Sequence, residues 1–268
     1  MLSAALLLPQ GADTLPLFAS HDPLELTLVA DFGAIRRDRS QDPEDRPALV
    51  VLAGGDTLEA ELRPRGHSRR DPRTCSFPPL RLDVRTGRAR GTVFQGQDKL
   101  KLVVPCRPER PGYEEAVLRE YLVYRLYALT AEAAYRVRLT RVTFVERDDP
   151  GDASTRWAFL IESDEELASR LGAQVVEVPD GKGVPPDRLH GPTSLRLAVF
   201  QYMIGNTDWE DAGVHNMTIL VIPGRVVPVP YDFDLAGAVN APYAAPAEEL
   251  PISTVLQRLY RGWCRPEL

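Results

Sequence analysis

The residues best suited to chemistry in this chain lie in the stretch GNTDWEDAGVHNMTILVIPGRVVPVPYDFDLAG, from Gly205 to Gly237. Asp208 follows the apolar run Leu195–Ile204, Asn216 begins the run Met217–Ile222, and Asp232 and Asp234 follow Val226–Pro230. Polar groups at the ends of rigid apolar elements are what a preorganised site requires. A lone loop aspartate is more often a turn former or helix cap, but three such loops in succession favour a site. Phosphoryl transfer from a nucleotide needs few parts: anion contacts, a lysine, metal ligands and a carboxylate that orients the nucleophile. Asp208 suits the base, with Asp211 in the same acidic loop as its rival. Asn216 and Asp232 suit Mg²⁺, which takes one or two carboxylates beside the phosphates themselves.

Anion contacts come from the other end of the chain. Arg63-Pro64-Arg65-Gly66-His67-Ser68-Arg69-Arg70 is a basic, glycine-containing loop that can offer backbone N–H groups and guanidinium forks to phosphate. A solvated surface loop is the plainer alternative. Lys99 and Lys101 share one face of a strand pattern whose other face carries Leu100 and Leu102. Either lysine is a candidate phosphate ligand, although edge-strand lysines more often guard against aggregation.

The elements that must position these groups read as follows. Leu24–Ala30 alternates like a strand, and Ala48–Ala53 and Leu58–Leu62 form a hairpin about Gly54-Gly55-Asp56. Leu80–Val84, Lys99–Val104, Val137–Glu146 and Trp157–Ile161 are further strands. Tyr113–Thr130 is the clearest helix, with Leu118, Leu122, Leu126 and Leu129 at helical spacing. Ser163–Leu171 is a helix with a Ser163/Glu166 capping box. Ser194–Ile204 and Ile252–Arg261 are helical in pattern, and Val178–Pro192 is a Pro/Gly-rich loop. Tyr124, Tyr127 and Tyr135 are read as core or rim residues.

Bulk properties narrow the function classes. The 268 residues allow one large domain or two lobes, and 44% hydrophobic with 26% charged residues suits a soluble chain with a real core. A net charge of -6 gives no electrostatic case for nucleic acid. No apolar run reaches the roughly 18 residues a membrane-spanning helix needs. The opening MLSAALLLPQGAD has the apolar core of a secretory signal without a preceding positive charge. Residues 1–23 are therefore read as a signal-peptide remnant or an N-terminal extension. That points to a secreted, periplasmic or envelope protein, with a cytoplasmic one as the alternative. Three cysteines leave one unpaired. Cys75 and Cys106 flank neighbouring strand segments and are candidates for a bridge, with buried free thiols as the alternative. No pair among His21, His67, His190 and His215 has a zinc spacing, and no G-x-S-x-G elbow argues for hydrolysis.

The acidic stretch resembles the spore coat protein H (CotH) family of atypical secreted kinases. The likeness rests on Asn206-Thr207-Asp208, then His215-Asn216 before a strand, then Pro230-Tyr231-Asp232-Phe233-Asp234-Leu235. The family pattern there is N-x-D, H-N and P-[WY]-D-x-D-L. RPRGHSRR resembles its R-G-N-S-S-R loop, with His67 for Asn and Arg69 for the second Ser. LREYLVYRLYAL and the strand ending at Glu162 resemble two further family segments, so the likeness runs from about Glu61 to Pro242. It implies an α+β, two-lobed kinase-like fold, with a β-rich part with one long helix over 24–162 and a more helical part over 163–268. It implies Asp208 as base, Asn216 and Asp232 as metal ligands with Asp234 as alternate, and Glu162 near the nucleotide or its metal. Lysines expected after the arginine loop are replaced by Phe77-Pro78-Pro79-Leu80-Arg81, which leaves Lys101 or Lys99 for ATP. Glu120 is the helix partner for that lysine, facing either the cleft or water.

The function so implied is transfer of the ATP γ-phosphate, with Mg²⁺ or Mn²⁺, to a protein or other hydroxyl-bearing acceptor. A pseudokinase or nucleotide/anion-binding module without transfer is the second reading. A structural envelope or coat protein that keeps the fold alone is the third.

Overall fold

The computed structural model describes residues 15–66, 68–85, 87–179 and 181–264. Most of the N-terminal signal-like segment, and His67, lie outside that set. Two short helices, α1 (Pro16–Ala19) and α2 (Phe32–Arg37), flank the first strand, β1 (Leu24–Ala30). The strands β2 (Arg46–Leu52), β3 (Thr57–Pro64), β4 (Leu80–Val84) and β5 (Lys99–Val103) precede the long helix α3 (Tyr113–Thr130). After it come β6 (Val137–Glu146), β7 (Ala153–Ile161) and α4 (Asp164–Arg170). The chain ends with β8 (Gln174–Val176), α5 (Gly191–Ile204), β9 (Met217–Ile222) and β10 (Arg225–Pro230).

The first seven strands form one closed barrel in the order β1-β2-β3-β4-β5-β7-β6. Closure is made by β1 running parallel to β6, with Leu24 opposite Thr140 and Ala30 opposite Glu146. The other barrel pairings are antiparallel. Alternation turns Leu28, Leu62, Leu82, Leu100 and Leu160 into the interior, where all are fully buried. A closed sheet has no edge strand to protect.

This closed barrel overturns the expected two-lobed kinase-like fold. The strands do not end as an open sheet, because β6 continues to β1 and completes the ring. Nor is the part after 163 mainly helical. Among the described residues there, α4 and α5 are the only α-helices, and a three-stranded sheet β10-β9-β8 lies with them.

The segment Ile252–Arg261, helical in pattern, is turns and extended chain. Tertiary tethers override its periodicity: Tyr260 packs on Tyr202, Arg261 donates to the Thr207 carbonyl, and Trp263 Nε1 donates to Asp211. The helix α3 keeps its expected bounds, but its leucine stripe does not face the core. Leu122, Leu126 and Leu129 are 55, 48 and 82% exposed. The buried face holds Tyr113, Tyr121, Tyr124, Tyr127 and Glu120 instead. Tyr121, Tyr124 and Tyr127 form a second core with α5, β9 and β10.

Candidate functional site

The Asp208 loop is built from α5 outward. Gly205 ends α5 in the left-handed conformation (φ 68°), which glycine adopts without strain. Its carbonyl accepts the Gly237 N–H at 3.1 Å, so the two ends of the acidic stretch are stitched together. Asn206, 1% exposed, then organises the turn. Its amide donates to Gln201 Oε1 (3.0 Å), its Oδ1 accepts the Asp208 N–H (3.0 Å), and its carbonyl accepts Trp209 Nε1–H (3.2 Å). Glu210 and His215 pair as an isolated β-bridge that folds the chain back on itself. His215 Nε2 thereby lies 2.9 Å from Asp208 Oδ1. Asn216 Nδ2 donates to Asp208 Oδ2 (2.9 Å) and to its carbonyl (2.8 Å). Asp208 is thus held on both oxygens yet remains 35% exposed. Asp211 is buried and accepts from Ala212 N–H and Trp263 Nε1–H, which makes it a brace for the loop.

Asn216 and Asp232 both have positive φ, 53° and 59°. Left-handed non-glycine residues cost energy and collect at functional sites. The backbone holds them there: Tyr231 N–H donates to the Asn216 carbonyl (3.0 Å), and Asp232 N–H donates to Tyr124 Oη (2.8 Å).

Beside Asp232 lies a buried charged cluster. Arg69 Nη2 donates to both oxygens of Asp232, at 2.6 and 2.8 Å, and its Nη1 is 3.3 Å from Asp234 Oδ2. Asp234 also accepts from Tyr243 Oη at 2.9 Å. Burial works to raise the Asp232 carboxyl, but Arg69 and then Arg65 hold it below its ordinary value. Burial and then the charge of Asp232 push Asp234 up to about 6. Glu120 is 2% exposed. Burial, then Asp234 and Asp232, raise its carboxyl well above its ordinary value. It faces neither a lysine nor bulk solvent, since its charged neighbours are Arg69 and the two aspartates. A cavity of about 10 Å³ beside Arg69, Glu120 and Asp234 has room for roughly one water.

The cations meet these acids from the barrel's outer face. Arg63 pairs across strands with Arg81, and Arg81 with Lys101. Like charges directly opposite are unfavourable. Asp45 offsets Arg81 at 2.7 Å, and Asp164 offsets Lys101 at 2.8 Å. Lys101 also sits over the rings of Tyr231 (4.9 Å) and Tyr135 (5.3 Å). Burial opposes the charge on Asp164, but Lys101 keeps its carboxyl below its ordinary value. Arg65 is half-buried and has no hydrogen bond or ion pair from its side chain to another among the described residues. Its charge still bears on Asp232, Asp164 and Tyr231.

Of the expected site residues, the structure therefore brings together Arg65, Lys101, Glu120, Asp232 and Asp234, with Asp208 and Asn216 adjoining them. It leaves two apart. Lys99 lines a separate cavity with Asp98, Arg136 and Glu166. Glu162 is fully buried, held by Arg170 at 2.6 Å and by the Arg136 N–H at 3.0 Å. That makes Glu162 an internal ion-pair partner rather than a nucleotide contact.

The arrangement does not fit a divalent ion at Asp232 as it stands, because both carboxylate oxygens carry the Arg69 guanidinium. Arg69 is the main residue that sequence reasoning passed over. It stood in the basic loop, but composition cannot separate a buried arginine from a solvated one. Asn206 and His215 lay inside the quoted motifs without a role, and Asp164 had no signal beyond its helix N-terminus. Cys75 and Cys106 are bridged, with Cα atoms 4.7 Å apart, inside the range expected of a disulfide. No helix among the described residues is long and apolar enough to cross a membrane. Comparison with family models, with curated proteins and with solved structures found no match.

Proposed function

We propose that the chain is an ATP-using phosphotransferase whose acceptor is a protein or other hydroxyl-bearing molecule. The observation that carries this reading is Arg65, whose guanidinium has no ion pair among the described residues, close to Asp164 and Asp232, which already have the cations Lys101 and Arg69. A half-buried cation without an acid partner among the described residues suits an anion such as the ATP polyphosphate. Asp208 supplies the other half of the chemistry, since it is oriented by His215 and Asn216 and open to solvent. In the proposed step the acceptor oxygen attacks the terminal phosphorus and the bond to the bridging oxygen breaks. The hydroxyl proton passes to Asp208, and ADP leaves. The reading rests on side chains and not on the barrel, because a fold does not decide a function. The Cys75–Cys106 bridge supports an exported protein, since such bonds persist in oxidising compartments.

One observation favours a second reading, an anion-binding module without transfer: Arg69 closes over the carboxylate that would otherwise serve the nucleotide. A thermal-shift titration with ATP and a radiolabelled transfer assay separate the two. Raised melting temperature with label incorporated is expected. A shift without label on any acceptor leaves only the binding module. No shift at millimolar ATP removes both.

A further inference from the structure

Arg69 spans two acids with its two terminal nitrogens. Nη2 lies 2.6 and 2.8 Å from the oxygens of Asp232, and Nη1 lies 3.3 Å from Asp234 Oδ2. The contact is internal, with Arg69 8% and Asp234 6% exposed. Both sides are anchored. Asp234 is held by Tyr243 Oη, and Asp232 by Tyr124 through its N–H. The arginine loop is tied at one end by the Arg65 N–H to the Pro79 carbonyl (2.8 Å), and beyond Arg69 by the Cys75–Cys106 bridge. That bridge packs against Tyr113, with Tyr243 beside it, so one small cluster supports both the loop and the acid it meets.

A cation that touches both oxygens of one carboxylate and one oxygen of the next stands where a divalent ion would bridge them. A metal bonded to either Asp232 oxygen would lie about 2.0–2.1 Å from it, against a guanidinium of like sign. Arginine cannot escape that conflict by losing its proton. Moving it would leave a buried charge without its partner. We propose that Arg69 is the resident cation of this site, taking the place between Asp232 and Asp234 that a divalent metal would occupy, so that the chain holds no metal of its own there. The anion is then met by Arg65 on the protein side, and any divalent ion that arrives on the nucleotide is part of the substrate. The nature of that anion rests on the phosphotransferase reading; the statement about metal stands on the Arg69–Asp232–Asp234 geometry alone.

The test uses Mn²⁺ without nucleotide, so its outcome is separate from whether the chain transfers phosphate. Bound Mn²⁺ is read by electron paramagnetic resonance and by thermal shift, for the full chain, for Asp232→Asn, for Arg69→Ala and for Arg69→Ala combined with Asp232→Asn. The wild type is expected to bind no Mn²⁺ at this site at millimolar concentration. Arg69→Ala is expected to bind one ion at least 10-fold more tightly than wild type, and the double variant to lose it. A wild type that binds one Mn²⁺, with the binding lost in Asp232→Asn, overturns the proposal. So does a folded Arg69→Ala that gains no Mn²⁺ affinity. Should Arg69→Ala fail to fold, Arg69→Lys, which cannot bridge the two acids with a planar fork, replaces it, and the wild-type measurement stands by itself. In a second arm, ATP-induced stabilisation of the wild type is expected to survive EDTA within twofold in apparent affinity. Absence of any ATP effect would count against the phosphotransferase reading and leave the Mn²⁺ result unaltered.

Discussion

The barrel interior and the core beneath α3 solve the same packing problem with different materials. Inside the barrel the buried side chains are aliphatic, with Phe32, Phe77 and Phe144 in mutual contact at one end (centroids 5.2–5.9 Å). Beneath α3 the buried set is rich in tyrosine, and it includes Arg69, Glu120 and Asp234 at 8, 2 and 6% exposure. Buried charges are tolerated only when paired and hydrogen-bonded. Here Asp234 is paired with Arg69 and with the hydroxyl of Tyr243, which carries an apolar ring and a polar tip on one side chain. Glu120, with one oxygen left without a partner among the described residues, has its carboxyl held well above its ordinary value by burial. The difference teaches a division of labour. The barrel supplies a rigid wall from which Arg65 and Lys101 project, and the mixed core supplies the charged groups that give that wall something to work with.

If that division is right, damage to one region should be separable from damage to the other. The largest effect is expected at Asp208. Asp208→Ala should lower phosphate transfer by about 10²–10⁴-fold while leaving the ATP-induced thermal shift in place. Asp211→Ala should instead lower the melting temperature. Equal transfer by Asp208→Ala and wild type, measured with labelled ATP, would remove Asp208 from the chemistry.

In the barrel the opposite pattern is expected. Leu82→Ala should cost about 2–5 kcal/mol of stability, read by urea unfolding, without changing ATP affinity in the folded fraction. A large loss of affinity would mean that the barrel is more than a support.

The disulfide joins the two regions. Cys75→Ala with Cys106→Ala should cost about 2–4 kcal/mol and, unlike Leu82→Ala, should also weaken ATP binding, since the bridge anchors the chain just after the loop that carries Arg65 and Arg69. ATP affinity that is unchanged in the double variant would show that the loop is held in place without the bridge.

The smallest effect concerns Glu166. Burial, then the charge of Glu162, push its carboxyl up to about 7, from an ordinary value of 4.5. The folded chain therefore keeps a proton that the unfolded chain releases, and stability falls as pH rises from about 4.5 to 7. After discounting for solvent screening of a partly exposed group, Glu166→Gln should stabilise the protein by about 1 kcal/mol at pH 8. It should change little at pH 4. The amide can still accept from Gln97, whose Nε2 lies 3.3 Å from Glu166 Oε1. An unaltered pH slope of unfolding would place the strain elsewhere.

Local chemistry was enough to read much of this molecule from its sequence. Alternation marks β1, β4 and β6 at their observed bounds, because each strand has one face against the barrel interior and period-two burial is a local signal. The Ser163 cap, whose hydroxyl accepts the Glu166 N–H at 3.0 Å, is equally local. So was the presence of acids in short loops after apolar runs, and Asp208, Asn216, Asp232 and Asp234 do lie near one another. What the sequence left open depends on partners distant along the chain. Closure of the barrel is decided by β1 meeting β6, more than a hundred residues on, and no pattern within either strand announces it. The face that α3 buries was decided by the neighbours available to it. The rings of Tyr124 and Tyr127 pack against Phe159, Phe200 and Phe233 inside, while Leu122, Leu126 and Leu129 were left outward. Arg69 and Glu162 show the same limit from opposite sides. One looked like a surface arginine and became the buried partner of Asp232, 163 positions away. The other looked like a cleft acid and is sealed by Arg170. A charged side chain has no periodicity of its own, so its place is set by the countercharge that folding brings to it.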